Sequence, residues 1–364
     1  MHISELDTPA LLVDLDRLEA NLRRVAGYCS EHGLRLRPHI KTHKSPLIGR
    51  RQISHGAAGL TVAKVGEAEV MLSSGTPDLL VAYPIVGESK LRRLMEVARK
   101  TNVTVALDSL EVAQGLSSAA QAAGLTIGVL VEVNLGLNRC GLDPGPDLVA
   151  LAAAITRLPG LRFDGVQSYY GHIWLNKPDG PAHFEKVKQG IAQVQEDFRK
   201  AGIELKIIGG GSTPTLFHSH EIAGINEIRP GTYVFYDSMQ VAAGSCRWED
   251  CAVTVLTTVV STARPGYALI DGGSKTFTSD GIPGAAQPSF GKVTEVPEVV
   301  FYNMNEEHGY LDLRQAGKTI RVGDRLRIIP NHVCVAVNMH EKAYGIRGDN
   351  VEEVWPVEAR GKLQ

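Results

Sequence analysis

The sequence predicts an α/β fold in which an N-terminal (β/α)₈ barrel of the TIM type precedes a C-terminal antiparallel β-domain. The first indication is a regular alternation of short apolar runs with amphipathic segments up to about residue 237, which is the pattern of βα units around a parallel sheet. The second is a change beyond that point, where Pro and Gly interrupt short strand-like runs and helical periodicity nearly disappears. A chain of 364 residues is long enough for both parts.

Eight apolar runs supply the predicted barrel strands. They cover residues 34–40, 59–63, 79–82, 103–107, 127–133, 163–168, 205–208 and 227–229. Amphipathic segments at 89–100, 110–123, 146–156 and 182–201 lie between them. Eight units favour a closed barrel over an open doubly wound sheet. No GxGxxG motif follows the first run, which argues against a dinucleotide-binding domain.

The strands of the β-domain are predicted from five later runs, at 253–260, 267–271, 292–302, 319–329 and 333–338. A further run at 8–13 precedes the barrel, and we expect it to pair with the β-domain. The predicted barrel domain covers residues 8–240, and the β-domain covers residues 241–364 together with residues 1–7.

The composition is that of an ordinary globular protein, with 43% hydrophobic and 21% charged residues. A net charge of −2 gives no reason to expect a nucleic acid or an anionic membrane as partner. No apolar run approaches the length of about 20 residues that a membrane span needs, and the N-terminus lacks the features of a signal peptide. The sequence therefore predicts a cytoplasmic protein. Its five scattered cysteines do not suggest a disulfide framework.

The run from Arg35 to Lys44 places a lysine where the first barrel strand ends. Side chains alternate along it, with Leu34, Leu36, Pro38 and Ile40 on one side and Arg35, Arg37, His39 and Lys41 on the other. In a barrel the second set faces the interior, so Lys41 would reach the mouth, where barrel enzymes carry out their chemistry. A lysine there can attack a carbonyl. The alternative is a solvated basic loop or a phosphate-binding patch.

Two loops after the seventh and eighth strands could hold an anion. Gly210 and Gly211 let backbone amides approach closely, and Ser212 and Thr213 add hydroxyl donors. Gly231, Thr232 and Tyr233, in the next loop, would complete the cradle. Barrels often bind phosphate at these two loops. The alternative is an ordinary glycine-rich turn.

Further candidates follow the fifth and sixth strands. Arg139 lies in a loop whose glycines allow a tight bend into the mouth, and Gln167 and Tyr169 share one parity at the end of strand six. A surface arginine and core aromatic residues are the alternatives. A lysine, an anion cradle and an arginine at barrel strand ends together match pyridoxal phosphate, which a lysine binds as a Schiff base.

The β-domain contains a candidate metal pair in the predicted strand at 333–338. His332 and Cys334 are two residues apart, so on a strand both side chains would point the same way. Imidazole and thiolate together suit Zn²⁺. The alternative is a core strand with a satisfied histidine and a buried cysteine.

The motifs PHIKTHK, NLGLNRCG, GGGSTP, RPGTY, EEHG and NHVCVAVN, in this order, resemble those of the fold-type III pyridoxal-phosphate enzymes of the D-threonine aldolase and D-serine dehydratase group, which are similar to alanine racemase in fold. The resemblance implies a Schiff base on Lys41, with Arg139, Gln167 and Tyr169 beside the cofactor ring. It also implies phosphate contacts from 210–213 and 231–233, a divalent metal (Zn²⁺ or Mn²⁺) on His332 and Cys334, and a homodimer.

Two features bear on the reaction and point in different directions. The His–x–Cys pair resembles the dehydratase members, whereas Gln167 resembles the aldolases, which have glutamine where the dehydratases have tyrosine. The main hypothesis is a lyase that cleaves D-β-hydroxy-α-amino acids to glycine and an aldehyde. The alternative is dehydration of D-serine or 3-hydroxy-D-aspartate to a keto acid and ammonia. A racemase is less favoured, because it has no use for the metal pair, and the sequence leaves the physiological substrate open.

Overall fold

A computed structural model describes residues 1–364 of the chain. It divides into two compact units. The first, which we call the barrel unit, comprises residues 23–41, 45–231 and 361–364. The second, the β unit, comprises residues 1–22, 42–44 and 232–360. The β unit therefore includes the first 22 residues, whereas the domain boundary predicted from the sequence lay at residue 8.

Strand β1 (Ala10–Asp14) belongs to the β unit, and the next eight strands form the barrel. These are β2 (Arg35–Leu36), β3 (Leu60–Val62), β4 (Asp78–Val81), β5 (Asn102–Leu107), β6 (Ile127–Val133), β7 (Leu161–Ser168), β8 (Ile207–Gly210) and β9 (Glu227–Ile228). All are parallel, in the order β2-β9-β8-β7-β6-β5-β4-β3, and a bridge between His39 and Thr61 joins the β2 and β3 edges. The predicted eight-stranded parallel barrel is thus confirmed.

Helices alternate with the barrel strands. Along the chain they are α1 (Leu15–Glu31), α2 (Pro46–Ser54), α3 (Val65–Met71), α4 (Glu88–Ala98), α5 (Leu110–Ala123), α6 (Pro146–Ile155) and α7 (Gly180–Ala201). The longest, α7, buries Phe184, Val187, Ile191, Val194 and Phe198. Spacings of three and four residues place these side chains on one face, which is how an amphipathic helix covers a sheet. None of the helices combines the length and apolar character needed to cross a membrane.

The first barrel strand is shorter than predicted. Regular pairing covers Arg35 and Leu36, and a 3-10 helix follows at Ile40–Thr42. Pro38 has no amide hydrogen to donate to the neighbouring strand, which limits the regular ladder there. The predicted inward direction of Arg37 is confirmed, because its guanidinium is buried and paired with carboxylates of β4 and β9.

The β unit contains a nine-stranded sheet built on β1. The other strands are β10 (Val253–Ser261), β11 (Tyr267–Ile270), β12 (Gly291–Val293), β13 (Val300–Met304), β14 (Gly309–Asp312), β15 (Arg325–Pro330), β16 (Lys342–Arg347) and β17 (Asn350–Pro356). Their order is β11-β14-β13-β12-β15-β10-β1-β16-β17, and β11 also pairs with β10, so six strands close on themselves. Strand β1 runs antiparallel to β10 and parallel to β16, which confirms the expected pairing of residues 8–13 with this unit. The run predicted as one strand at 292–302 forms two strands, β12 and β13.

The strand predicted at 333–338 is wrong. The segment is helix α9 (Val333–Met339), which follows the short helix α8 (Ser238–Ala242) in chain order. Val333, Ala336 and Val337 are buried, as helical spacing requires, whereas Val335 is 38% exposed, although a strand would bury it with Val333. The helix begins where the carboxylate of Asp237, remote in sequence, accepts a hydrogen bond from the amide of Val333 at 2.9 Å.

Candidate active site

Lys41 lies in the 3-10 helix that follows β2. Its backbone amide donates a hydrogen bond to Nδ1 of His39 at 3.3 Å. Its Nζ lies 5.7 Å from the centre of the Tyr169 ring. Lys44, the other lysine of the motif, belongs to the β unit, where its Nζ donates to the carbonyl of Ala359 at 3.5 Å. Of the two lysines, Lys41 is therefore the one that faces the candidate residues of the barrel unit.

Three positive side chains surround the Tyr169 ring. Besides Lys41, Cζ of Arg139 lies 4.9 Å and Cζ of Arg229 lies 5.4 Å from the ring centre. These residues follow the ends of β2, β6, β7 and β9, which lie together at the carboxyl edge of a parallel sheet. We call Lys41, Arg139, Tyr169 and Arg229, with the carboxylate of Glu132, the cationic cluster.

Arg139 is held by a loop that depends on its glycines. The amide of Gly141 donates to the Asp108 carboxylate at 2.9 Å. Gly141 has a φ of +100°, and a Cβ there would lie 2.8 Å from the amide nitrogen of Asn134, so no other residue fits without a shift. The guanidinium lies 3.9 Å from Glu132 and its side chain is 52% exposed. Arg139 thus combines a fixed backbone with a side chain open to solvent.

Sequence reasoning missed Glu132 and Arg229, although Arg229 opens the RPGTY motif. Glu132 is buried at the end of β6, and burial raises the pKa of its carboxyl while Arg229 and Arg139 oppose the shift. Arg229 is buried after β9, and burial lowers its pKa while Glu132 opposes the shift. Its Nη2 donates to the carbonyl of Ser168 at 3.3 Å, and its Nε has no hydrogen-bond partner. Both are interior positions at strand ends, which the parity used for Lys41 could have selected.

Gln167 is a buried amide without partners. Its side chain is 1% exposed, and neither Oε1 nor Nε2 makes a hydrogen bond. It lies level with Glu132 of β6 and Gly209 of β8 in the sheet. Leaving a buried amide unpaired costs about 1–3 kcal/mol, so the unpaired atoms indicate a ligand that offers a donor and an acceptor.

The predicted anion cradle begins directly after two neighbouring strands. Gly210 of β8 pairs with Ile228 of β9, so the loops that continue from them start side by side. Residues 210–213 are all buried. A Cβ at Gly210 would lie 3.0 Å from Ile225 and 3.1 Å from the hydroxyl of Ser168. This crowding favours glycine at position 210, and a backbone without a side chain can approach an anion closely.

The other half of the predicted cradle starts at Gly231. This residue ends the second segment of the barrel unit, and Thr232 and Tyr233 open the 3-10 helix Thr232–Val234 of the β unit. Tyr233 is buried. The hydroxyl of Thr232 lies 3.8 Å from Sγ of Cys334 within the β unit.

His332 and Cys334 lie together in the β unit, although not on a strand. His332 is the N-cap of α9, Cys334 is its second residue, and their side chains are hydrogen-bonded to each other. The hydroxyl of Thr42 lies 3.1 Å from Sγ of Cys334. Burial lowers the pKa of His332, but Cys334, Asp237 and Asp280 outweigh it and raise the pKa to about 10.

This pair fits a divalent metal as two of its ligands. Imidazole nitrogen and thiolate sulfur are a donor set that Zn²⁺ prefers. No third His, Cys, Asp or Glu joins them in a group able to hold a metal, so a metal would retain positions for water or a substrate oxygen. Glu306 and Glu307, of the EEHG motif, are exposed and paired with Lys275.

Comparisons with known proteins match both units. The family model described as alanine racemase, N-terminal domain, matches residues 13–239, and that described as putative serine dehydratase domain matches residues 252–346. A 3-hydroxy-D-aspartate aldolase of Paracoccus denitrificans (strain Pd 1222) is 34% identical over 100% of this chain and 94% of its own length. A D-threo-3-hydroxyaspartate dehydratase of Delftia sp. (strain HT23) is 31% identical over 96% of this chain and 97% of its own.

A comparison with solved structures also finds an enzyme of this kind, similar over nearly the whole chain. The crystal structure of D-threonine aldolase from Filomicrobium marinum superposes with a TM-score of 0.92 at 35% identity and covers 99% of this chain and 98% of that one. The full length of the chain is therefore similar to proteins of both reaction types.

Proposed function

Because the chain belongs to the alanine racemase-fold family that includes the D-threonine aldolases and D-serine dehydratases, we propose that it is a lyase that uses pyridoxal phosphate. Its substrates are D-β-hydroxy-α-amino acids, which it cleaves to glycine and an aldehyde. The observation that carries the proposal is the cationic cluster beside the unpaired amide of Gln167. These groups fit an anionic aromatic ligand that also offers hydrogen-bonding atoms.

The residues that would hold the cofactor have separate tasks. Lys41 would bind the aldehyde carbon covalently, and residues 210–213 and 231–233 would bind the phosphate. Arg139 and Tyr169 would border the ring, and Gln167 would gain partners for its amide. Arg229 adds positive charge beside Tyr169. When bound, pyridoxal phosphate supplies the electron sink that accepts the electrons of the broken bond.

The metal pair supports the same reaction at the substrate hydroxyl. His332 and Cys334 would hold Zn²⁺ or Mn²⁺, and the thiolate favours Zn²⁺. When bound, the metal supplies Lewis acidity toward that hydroxyl. His332 and Cys334 leave its remaining positions open, since no third protein ligand accompanies them.

Dehydration is the second candidate function. The His–x–Cys arrangement favours it, and the relative from Delftia is a dehydratase. In that reaction the Cα proton must be removed, and Lys41 is the amine that lies beside Tyr169. Gln167 and the aldolase relatives favour carbon–carbon cleavage.

A product assay separates the two functions. The purified protein, loaded with pyridoxal phosphate and Zn²⁺ or Mn²⁺, is incubated with D-threonine, 3-hydroxy-D-aspartate and D-serine, with the L-enantiomers as controls. Glycine and an aldehyde from either of the first two establish the aldolase. A keto acid and ammonia establish the dehydratase. Formation of neither product pair from any D-substrate would contradict both proposals.

We also propose that the chain acts as a homodimer in the cytoplasm, with no nucleic acid or membrane as partner. The dimer is implied by the resemblance to the family. In the barrel unit, Tyr83, Val86 and Leu110 are exposed apolar side chains in the segments after β4 and β5, and such side chains are common at interfaces between copies. Light scattering should give twice the chain mass of 39.3 kDa, and a monomer at micromolar concentration would contradict the dimer.

A further inference from the structure

Asp280 makes a short polar contact with His332. Its Oδ2 lies 2.6 Å from Nδ1 of the imidazole, and the two side chains are 43% and 33% exposed. Sequence reasoning did not select Asp280, which lies 52 residues before its partner. A charge-assisted hydrogen bond of this length fixes the orientation of an imidazole ring.

The bond decides which nitrogen of His332 remains available. A neutral imidazole that donates from Nδ1 to Asp280 carries its lone pair on Nε2. Nε2 is then the nitrogen that can bind a metal. Histidines that ligate metals commonly donate their other ring N–H to a carboxylate, which also makes them stronger ligands.

Neighbouring contacts hold both partners of this hydrogen bond. Asn331, which precedes His332, is buried and donates from its side-chain amide to the carbonyl of Asp280 at 2.9 Å and to the carbonyl of Ser289. On the other side of His332, the carboxylate of Asp237 accepts from the amide of Val333 at 2.9 Å. The segment around Asp280 and the start of α9 are thus tied together by the residue next to the metal pair.

We propose that Asp280 is a positioning residue that holds His332 with Nε2 directed to the metal. The inference rests on the proposed metal site. Asp280 is not itself assigned as a ligand, because Oδ2 is engaged by His332 and no group of three possible ligands is present. Because Asp280 acts through the imidazole of His332, its removal should weaken the binding of the metal.

The test measures the dissociation constant of Zn²⁺ alone, by competition with a chromogenic chelator, on the cofactor-loaded protein without substrate. We expect Asp280→Ala to weaken Zn²⁺ binding about 100-fold and Asp280→Asn about tenfold, since loss of such a partner typically costs 10–100-fold in affinity. Glu221→Gln is the matched control, because Glu221 also places a carboxylate oxygen 2.6 Å from a histidine Nδ1, that of His218, in the barrel unit. It should leave Zn²⁺ affinity unchanged.

The absorption spectrum of bound Co²⁺ provides a second measurement, which would not change if Asp280 only stabilised the fold. The charge-transfer band of a cobalt–thiolate bond should persist in both Asp280 variants, because Cys334 is intact, while the ligand-field bands shift as the imidazole reorients. Thermal unfolding monitors the fold, and the Asn variant, which is nearly isosteric, keeps the test valid if the Ala variant does not fold.

The outcomes separate this inference from the proposed function. If His332→Ala and Cys334→Ala lose Zn²⁺ but both Asp280 variants bind it as the parent does, the positioning role is wrong and the metal site stands. If His332→Ala and Cys334→Ala keep the parent affinity, the metal site itself is wrong, and the role of Asp280 falls with it.

Discussion

The barrel unit contains two groups of charged side chains that differ in how their charges are balanced. In one, the guanidinium of Arg37 lies 2.6 Å from Asp78 and 3.0 Å from Glu227, the first residues of β4 and β9. We call these three residues, together with Arg35, which lies 3.8 Å from Glu227, the balanced cluster. In the cationic cluster, three positive side chains surround Tyr169, and the carboxylate of Glu132 opposes the charges of Arg139 and Arg229.

The difference indicates what each group is for. A buried charge is tolerated when the chain supplies its partner, as Asp78 and Glu227 do for Arg37. A surplus of positive charge beside an unpaired amide lacks such partners within the chain, and a ligand has to supply them. Asp78 and Glu227, at the strand starts, therefore pair with a charge of the fold itself, whereas we propose that the positive side chains after the strand ends serve to bind a ligand.

The largest effect should come from the lysine of the cationic cluster. Lys41→Ala removes the amine that would bind the cofactor, so we expect turnover of D-threonine to fall by at least about 1,000-fold, as loss of a covalent catalyst does. The near-visible absorbance of the bound cofactor should disappear as well. Lys64→Ala is the control, since Lys64 faces Tyr83 instead of Tyr169. Unchanged absorbance in the Lys41 variant would mean that another lysine is the attachment point.

Breaking the balanced cluster should affect stability without removing a cofactor contact. Arg37→Met removes the buried guanidinium between Asp78 and Glu227 and leaves the buried Glu227 carboxylate with only Arg35, 3.8 Å away, so we expect the free energy of unfolding to drop by about 3–5 kcal/mol. Glu227→Gln leaves Arg37 paired with Asp78 and should cost less than about 1 kcal/mol. Denaturant titration of both variants measures this. Equal losses of stability in the two variants would show that Arg37 is no more important to the cluster than Glu227 is.

At Gln167, beside the cationic cluster, we expect a substitution to raise stability instead of lowering it. Gln167→Leu removes an unpaired buried amide, so the cofactor-free protein should become more stable by about 1–2 kcal/mol, while its affinity for pyridoxal phosphate falls. Gln193→Leu, on the exposed side of α7, is the control and should stay within about 0.5 kcal/mol of the parent. A variant that lost stability in the cofactor-free form would contradict a role for Gln167 in ligand binding.

The smallest expected effect is in the pH dependence of stability. Burial raises the pKa of the Glu227 carboxyl, and Arg37 only partly opposes the shift. A carboxyl with a raised pKa favours the folded state fully below its usual pKa, and this contribution is lost as the pH rises through the raised value. The parent should therefore lose stability relative to Glu227→Gln as the pH rises through this range. Parallel curves for the two proteins would show that Glu227 does not titrate differently on folding.

The barrel could be predicted from sequence because each of its strands and helices shows its burial in the spacing of its own apolar residues. The runs at 127–133 and 110–123 match β6 and α5 in their bounds, since an interior strand and an amphipathic helix each fix their own periodicity. The same parity placed Lys41 after β2 and Arg37 inside.

Two parts of the site depend on contacts remote in sequence. Helix α9 begins at a hydrogen bond to Asp237, which no local pattern reveals, and the run of alternating valines there imitates a strand. His332 and Cys334 still meet, but through a helix start. Asp280 meets His332 only in three dimensions, because the two residues are 52 positions apart in the chain.

The most direct test of the central claim is to locate the covalent bond to the cofactor. The loaded protein is reduced with borohydride, digested and mapped by mass spectrometry. We expect a pyridoxyl group on Lys41 and none on Lys44. Modification of Lys44, or of no residue in the segment 35–44, would contradict it.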